Sequence, residues 1–122
     1  MKETISPDVY KLLTDIQEAC RDIVKYTAKG RENFDLDEPT RLSIIWYINK
    51  IGTAARLMID RKMGHEFQKN HPEIDWRGWV HQRNILVHNY DSINFNLVWQ
   101  TALEAPDLQS KITELLSSVE VS

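Results

Sequence analysis

The 122-residue sequence is poor in cysteine, glycine and proline, and it has no long apolar run. Its one cysteine, Cys20, excludes a disulfide within the chain and fits a reducing compartment. Four glycines and four prolines are too few for a loop-dominated all-β protein. No stretch approaches the roughly 20 apolar residues of a membrane-spanning helix, and the first residues lack the apolar core of a secretory signal. We therefore expect a cytoplasmic protein that does not insert into a membrane.

The composition predicts one globular domain over residues 1–122. Hydrophobic residues make up 42% of the chain and charged residues 27%, which is ordinary for a soluble protein. The net charge of −3 argues against generic nucleic-acid binding. Residues 50–90 nevertheless hold seven basic and four acidic residues and all four histidines, whereas the remainder holds eight basic and fourteen acidic residues. This asymmetry is compatible with one anion-binding region, and equally with chance.

Helical periodicity dominates the first half of the chain. Ser6 and Pro7 form a helix start, and apolar residues then recur at helical spacing as far as Gly30, which can adopt a left-handed cap. Cys20 lies on this apolar stripe and is interpreted as a buried structural thiol. Residues 35–39 are predicted to be a connector. A second helix is predicted from about 39 to 59, where Gly52 would allow another helix to approach closely.

The second half predicts further helices. Residues 61–70 are ambiguous, with a short helix plausible. Asp75 is predicted to cap a third helix that ends around residues 88–91, and Asn94 or Ser92 begins a fourth, which Pro106 bends or splits. No strand is indicated. The sequence therefore predicts an all-α, up-and-down bundle of four to five helices.

Several kinds of catalytic site are absent from the sequence. The histidines follow one another at intervals of six, ten and seven residues, and no cysteine joins them. None of these intervals gives the i, i+4 pair of a helical zinc site, so we expect neither a metal nor a cofactor. There is also no glycine-rich phosphate loop after a strand and no serine nucleophile elbow. Most common enzyme classes are thereby excluded.

The most distinctive segment is Arg83-Asn84-Ile85-Leu86-Val87-His88-Asn89-Tyr90, at the end of the predicted third helix. Histidine can give or take a proton near neutral pH, and arginine can hold a phosphate by two hydrogen bonds. Such a pair suits cleavage of RNA, whose 2′-hydroxyl is an internal nucleophile that DNA lacks. Asn84 and His88 share a helix face, but Arg83 and His88 lie about 140° apart around an ideal helix.

Spacing alone does not make these residues a site. Arg83 and His88 converge only if the arginine reaches across, if the helix unwinds near Asn89, or if a second subunit contributes. An arginine and a histidine at a helix end are more often caps and surface contacts.

The segment resembles the HepT-like toxin family of the HEPN superfamily. Arg83, His88 and Tyr90 match the family's signature of arginine, four residues, histidine, one residue and tyrosine. Residues 51–55 (Ile-Gly-Thr-Ala-Ala) look like its second-helix Ile-Gly-Glu-Ala segment. Residues 71–76 resemble its approach to the motif helix, and residues 91–99 its downstream segment. The resemblance extends from about residue 15 to residue 116.

This resemblance implies a HEPN-like homodimer that acts as a metal-independent endoribonuclease, the toxin of a type VII-like toxin–antitoxin system. Arg83 would bind and polarise the scissile phosphate, and His88 would be the general acid and base. Asn84 would support or orient the site. A minimal nucleotidyltransferase antitoxin would silence the toxin by transferring AMP to Tyr90. The alternative is a non-catalytic, substrate-binding partner of a nucleotidyltransferase, although the intact motif favours the ribonuclease.

Residues outside the motif carry further expectations. Thr53 stands where many members have an acidic residue; if that acid orients the site, either activity is reduced here or Asp60 or Glu66 replaces the acid. One of Trp46 and Tyr47 is a candidate dimer contact. The other three tryptophans are interpreted as core and the other three histidines as surface or capping groups: Trp76, Trp79, Trp99, His65, His71 and His81. Four basic residues are candidates for a rim that guides RNA, or for an ordinary solvated face: Arg56, Lys62, Lys69 and Arg77.

Overall fold

The computed structural model describes residues 2–88 and 90–122. The elements of these ranges are β1 (Glu3–Ile5), α1 (Pro7–Thr27), α2 (Gly30–Leu36), α3 (Glu38–Ile59), α4 (His65–Asn70), α5 (Trp76–His88), a short 3-10 helix (Tyr90–Ser92), α6 (Phe95–Ala102), α7 (Ala105–Ser117) and β2 (Val119–Val121). Among the described residues, no helix is both long enough and apolar enough to cross a membrane.

The long helices α1, α3, α5 and α7 form an up-and-down bundle. Tyr26, near the end of α1, stacks on Tyr47 in the first half of α3 with their ring centroids 6.2 Å apart. Leu12, near the start of α1, lines a groove with Leu57, near the end of α3, so these helices are antiparallel. Gly52 in the second half of α3 faces Trp79 in the first half of α5, and Leu42 near the start of α3 lines a groove with Leu86 near the end of α5, so α5 is also antiparallel to α3. The short strand before α1 pairs with the strand after α7, so these two helices run in opposite directions as well. The predicted all-α bundle is confirmed.

Local sequence signals explain where the helices begin. The Ser6 hydroxyl accepts a hydrogen bond from the Val9 amide at 3.1 Å, and the Asp75 carboxylate accepts one from the Gly78 amide at 3.0 Å. These side chains satisfy amides that have no partner within the first turn. Cys20 is fully buried on the apolar face of α1, and this burial raises the pKa of its thiol to about 12. The interpretation of Cys20 as a structural thiol is confirmed.

The segment between α1 and α3 differs from the prediction. Gly30 has the expected left-handed backbone, with φ of +88°, but it opens the short helix α2 directly after α1. The predicted connector at residues 35–39 is reduced to Asp37, which caps α3. α2 forms because Phe34 is fully buried beneath it and packs on Trp99, with ring centroids 5.1 Å apart.

The prediction of no strand is wrong. β1 and β2 pair in parallel, with Glu3 opposite Val119 and Ile5 opposite Val121. Each strand is three residues long and buries one side chain, Ile5 or Val119. So short a segment shows no alternation of apolar and polar residues, which is the pattern that identifies a strand in a sequence.

Helices α3 and α5 approach each other closely at Gly52. A Cβ atom on Gly52 would lie 2.2 Å from the Cβ of Arg83 and 2.9 Å from the carbonyl oxygen of Trp79. The absence of a side chain therefore sets the spacing of the two helices, as predicted. The three tryptophans interpreted as core are buried: Trp76, Trp79 and Trp99. Pro106 lies in the first turn of α7, and the predicted fourth helix is split there into α6 and α7.

Candidate active site

Arg83 projects from α5 toward α3 and is held there by two amide oxygens. Its Nε donates a hydrogen bond to Oδ1 of Asn49 on α3, at 3.2 Å. Its Nη1 donates to Oδ1 of Asn84, the next residue on α5, at 3.3 Å. The side chain is half-buried between the helices. The guanidinium is therefore held at Nε and Nη1, while the side chain stays partly exposed at the surface.

His88 is the last residue of α5, and its side chain is exposed. The helix is regular from Trp76 to His88, so it does not unwind between the two motif residues. Their Cα atoms are therefore separated by about 140° around the axis and about 7.5 Å along it. Asn84, which accepts a hydrogen bond from Arg83, shares a helix face with His88. The convergence of Arg83 with His88 stays a prediction.

Two parts of the motif lie outside the described residues. Asn89, where unwinding was one of the alternatives, is not among them, and neither is the side chain of Tyr90. The backbone of Tyr90 begins the 3-10 helix that follows α5. The role of Tyr90 as a modification site therefore stays a prediction.

Two grooves flank α3 beside Arg83. The first, here called the α3–α5 groove, has a volume of about 360 Å³ and is lined by Leu42, Ile45, Trp46, Asn49, Leu86 and Val87. The second, the α1–α3 groove, has a volume of about 270 Å³ and is lined by Leu12, Asp15, Trp46, Asn49, Lys50, Thr53, Ala54 and Leu57. Trp46 and Asn49 belong to both. Trp46 is 61% exposed, an unusually large exposure for so apolar a side chain.

The α1–α3 groove contains a carboxylate that the sequence did not indicate. Thr53 of α3 and Asp15 of α1 both line the groove, and Asp15 is paired with Lys11 at 2.9 Å. The two suggested replacements for the family's acid, Asp60 and Glu66, line neither groove. Asp60 instead caps the end of α3 and accepts a bond from the Lys62 amide. Asp15 is thus an acid that lines the same groove as Thr53.

The four candidate rim residues are exposed, but they lie toward the other end of α5. Arg77 is in the first turn of α5, about 16 Å along the helix from His88. Lys69 lines a shallow cleft with Arg77. Arg56 and Lys62 lie at the end of α3 and in the following turn, which is the end that faces the start of α5. The structure therefore brings Arg83, Asn84 and Asn49 together and leaves this basic group apart from them.

The other histidines have structural or surface positions. His65 Nδ1 lies 3.0 Å from the carbonyl oxygen of Ile59, at the end of α3. His71 lies between two carboxylates: its Nε2 is 2.9 Å from Oε1 of Glu3, and its Nδ1 is 3.1 Å from Oε1 of Glu73. His81 is exposed. Within residues 2–88 and 90–122, no three His, Cys, Asp or Glu side chains form a cluster able to hold a metal. The expectation of a metal-independent site stays a prediction.

Comparisons with known proteins identify the family. The family model described as ribonuclease HepT-like matches residues 16–115. The probable ribonuclease HepT of Thermococcus cleftensis is 31% identical over 105 residues, which are 84% of this chain and 91% of that protein. Two Methanocaldococcus jannaschii proteins whose names describe them as RNases are 27% identical over 115 residues (93% of this chain, 91% of the relative) and 29% identical over 107 residues (86% and 94%). No solved structure matches significantly. The chain therefore belongs to the HepT-like ribonuclease family.

Proposed function

We propose that this protein is an endoribonuclease that cleaves RNA without a metal, using Arg83 and His88. The observation that carries the proposal is the half-buried guanidinium of Arg83, held by Asn49 and Asn84, on the same helix as the exposed His88. A cation fixed in this way suits a phosphate, and an exposed imidazole suits proton transfer. The names of the relatives, which describe them as ribonucleases, support the same substrate class.

The chemistry needs only the RNA and these side chains. His88 accepts the proton of a 2′-hydroxyl as the oxygen attacks the adjacent phosphorus, and Arg83 stabilises the charge on the phosphoryl oxygens. The bond from phosphorus to the 5′-oxygen breaks, and that oxygen takes the proton that His88 had accepted, which returns the imidazole to its neutral form. The products are a 2′,3′-cyclic phosphate and a 5′-hydroxyl. DNA is not a substrate because it has no 2′-hydroxyl.

The proposal includes a homodimer formed through the exposed apolar face of α3 and α5. Leu42, Trp46 and Val87 are 45%, 61% and 48% exposed and lie around the α3–α5 groove. A second copy on this face would cover these apolar side chains and bring a second pair of motif residues close to the first. It would thereby offset the separation of Arg83 and His88 around one helix. Trp46 is the residue we expect at the centre of this contact.

We further propose that a minimal nucleotidyltransferase antitoxin silences the ribonuclease by transferring AMP to Tyr90. Tyr90 is two residues from His88, so an AMP group would place a negative phosphate and a large base beside the site. This phosphate would repel the RNA backbone. A Tyr90→Phe variant should stay toxic when the active antitoxin is co-expressed. Full neutralisation of that variant would refute the switch.

The decisive experiment incubates purified protein with total RNA in excess EDTA. We expect wild-type protein to produce 2′,3′-cyclic phosphate ends, and Arg83→Ala and His88→Ala to produce none. Matched controls are Arg21→Ala, an exposed arginine on α1, and His81→Ala, an exposed histidine on α5, and both should cleave like wild type.

Intact mass separates the two ways in which cleavage could be lost. No cleavage by protein with the unmodified mass would refute the proposal and favour a substrate-binding partner of a nucleotidyltransferase. No cleavage by protein that is heavier by AMP units would identify the silenced toxin, and removal of the AMP should then restore cleavage.

A further inference from the structure

We infer that Asn49 is a positioning residue for Arg83, and that its neutral amide keeps the charge of Arg83 available for an RNA phosphate. The inference rests on the proposed ribonuclease function and adds a residue from a different helix to the site. Asn49 lies on α3, 34 positions before Arg83 in the chain, and its Oδ1 accepts the Nε–H of Arg83 at 3.2 Å.

The hydrogen bonds fix the guanidinium without neutralising it. Asn49 and Asn84 each accept one N–H of Arg83, and both acceptors are uncharged amide oxygens. Among the described residues, the ion pairs join Lys11 to Asp15, Arg31 to Asp35, Lys111 to Asp107 and His71 to two glutamates, and Arg83 is in none of them. A carboxylate in place of either amide would compete with phosphate for the same donors.

The position of Asn49 is unfavourable for the helix but favourable for the contact. Asparagine is a poor helix former, yet Asn49 lies in the middle of the 22-residue α3. Gly52, one turn later on the same helix, allows the Cβ of Arg83 to approach the backbone of α3, which brings Nε within reach of Asn49. A residue that opposes local propensity and is satisfied only by a distant partner is expected at functional sites. Asn49 also lines both grooves, so the contact lies beside open space.

Two substitutions separate positioning from charge. Asn49→Leu has a similar size but no hydrogen-bond acceptor, so Arg83 should lose its orientation. Asn49→Asp keeps an acceptor at the same place but adds a negative charge beside Arg83. Asn84→Asp adds that charge from the other side, and Gln100→Asp adds it at an exposed position of α6 as a control. Circular dichroism establishes that each variant is folded.

The measurements are cleavage of a short RNA in EDTA and binding of its all-2′-deoxy analogue at several salt concentrations. We expect Asn49→Leu to lower kcat at least tenfold with little change in KM. We expect Asn49→Asp and Asn84→Asp to weaken binding at least tenfold and to reduce the slope of log affinity against log salt by about 0.7, the loss of one phosphate contact on a single strand. Gln100→Asp should match wild type. Wild-type kinetics and salt slope in both Asn49 variants would overturn the inference.

A structural readout distinguishes failure of this inference from failure of the proposed function. The NMR signal of the Arg83 Nε–Hε group, assigned by its absence in Arg83→Lys, should move in Asn49→Leu. If wild-type protein does not cleave RNA but this signal moves and the salt slope falls in Asn49→Asp, positioning stands and the ribonuclease proposal fails. If wild-type protein cleaves RNA but the Asn49 variants change neither the NMR signal nor the kinetics, the ribonuclease proposal stands and the positioning role of Asn49 fails.

Discussion

Replacing Gly52 by alanine tests the close approach on which the site depends. Alanine normally stabilises the interior of a helix by about 1 kcal/mol relative to glycine. Here the added Cβ would lie 2.2 Å from the Cβ of Arg83 and 2.9 Å from the carbonyl oxygen of Trp79. Neither atom is the flexible end of a side chain, so the helices α3 and α5 must separate.

The loss of stability caused by Gly52→Ala can be worked out from these distances. Two carbon atoms make normal contact at about 3.5 to 4.0 Å, so α5 must move away by at least about 1.3 Å at this point. Overpacking of this kind costs about 1–3 kcal/mol, and we place Gly52→Ala at the upper end. After the gain in helix propensity, the free energy of unfolding should fall by about 1 to 2 kcal/mol. For a chain of this length, that lowers Tm by roughly 4 to 8 °C.

The assay compares urea unfolding, Tm and RNA cleavage for Gly52→Ala and Gly30→Ala. Gly30 has φ of +88° with no heavy atom within 4 Å of an added Cβ, so Gly30→Ala should cost about 1–2 kcal/mol through backbone strain alone. Both variants should be less stable than wild type, but only Gly52→Ala should also impair cleavage, because only it displaces Arg83. A Gly52→Ala protein at least as stable as wild type would refute the reasoning.

Three further predictions concern separate parts of the molecule. Because burial raises the pKa of Cys20 to about 12, iodoacetamide at pH 8 should leave the folded protein unlabelled and label it in urea; rapid labelling of folded protein would contradict this. A hydrogen bond from the Thr40 hydroxyl lowers the pKa of Asp37 in the folded protein. The Asp37 carboxylate therefore stabilises the fold at pH values above its unfolded pKa of about 3.9, and this stabilisation is lost as the pH falls through the folded pKa. The urea midpoints of wild type and Asp37→Asn should thus differ at pH 7 and converge as the pH falls through the folded pKa, whereas a difference that is independent of pH would exclude this linkage. Trp46→Asp should convert the proposed dimer to a monomer of unchanged helicity in light scattering, and an unchanged mass would place the dimer contact elsewhere.

Sequence reasoning succeeded where a signal is local and repeated. The start of α1 at Ser6 and Pro7, the cap at Asp75 and the break at Pro106 each depend on a few neighbouring residues. Arg83, Asn84 and His88 also stand in one visible segment, and their role as a site stays a prediction. The buried tryptophans were recognisable because they recur at helical spacing.

Features that depend on distant partners were not predictable in this way. The helix α2 is seven residues long, and its one buried side chain, Phe34, is stabilised by Trp99 far along the chain. Asn49 belongs to no motif, and its relation to Arg83 appears only when the register of α3 against α5 is known. Asp15 likewise lines the same groove as Thr53 only because α1 packs on α3.

The parallel pairing of β1 with β2 has a topological consequence. It places Ile5 opposite Val121, so the two ends of the described chain lie close together. A circular permutant would result if a short linker joined these two ends and new chain ends were made in the exposed turn at residues 60–63. Every helix would keep its neighbours in that permutant. The order of the helices along the polypeptide could therefore be rotated while the contact of Asn49 with Arg83 is preserved.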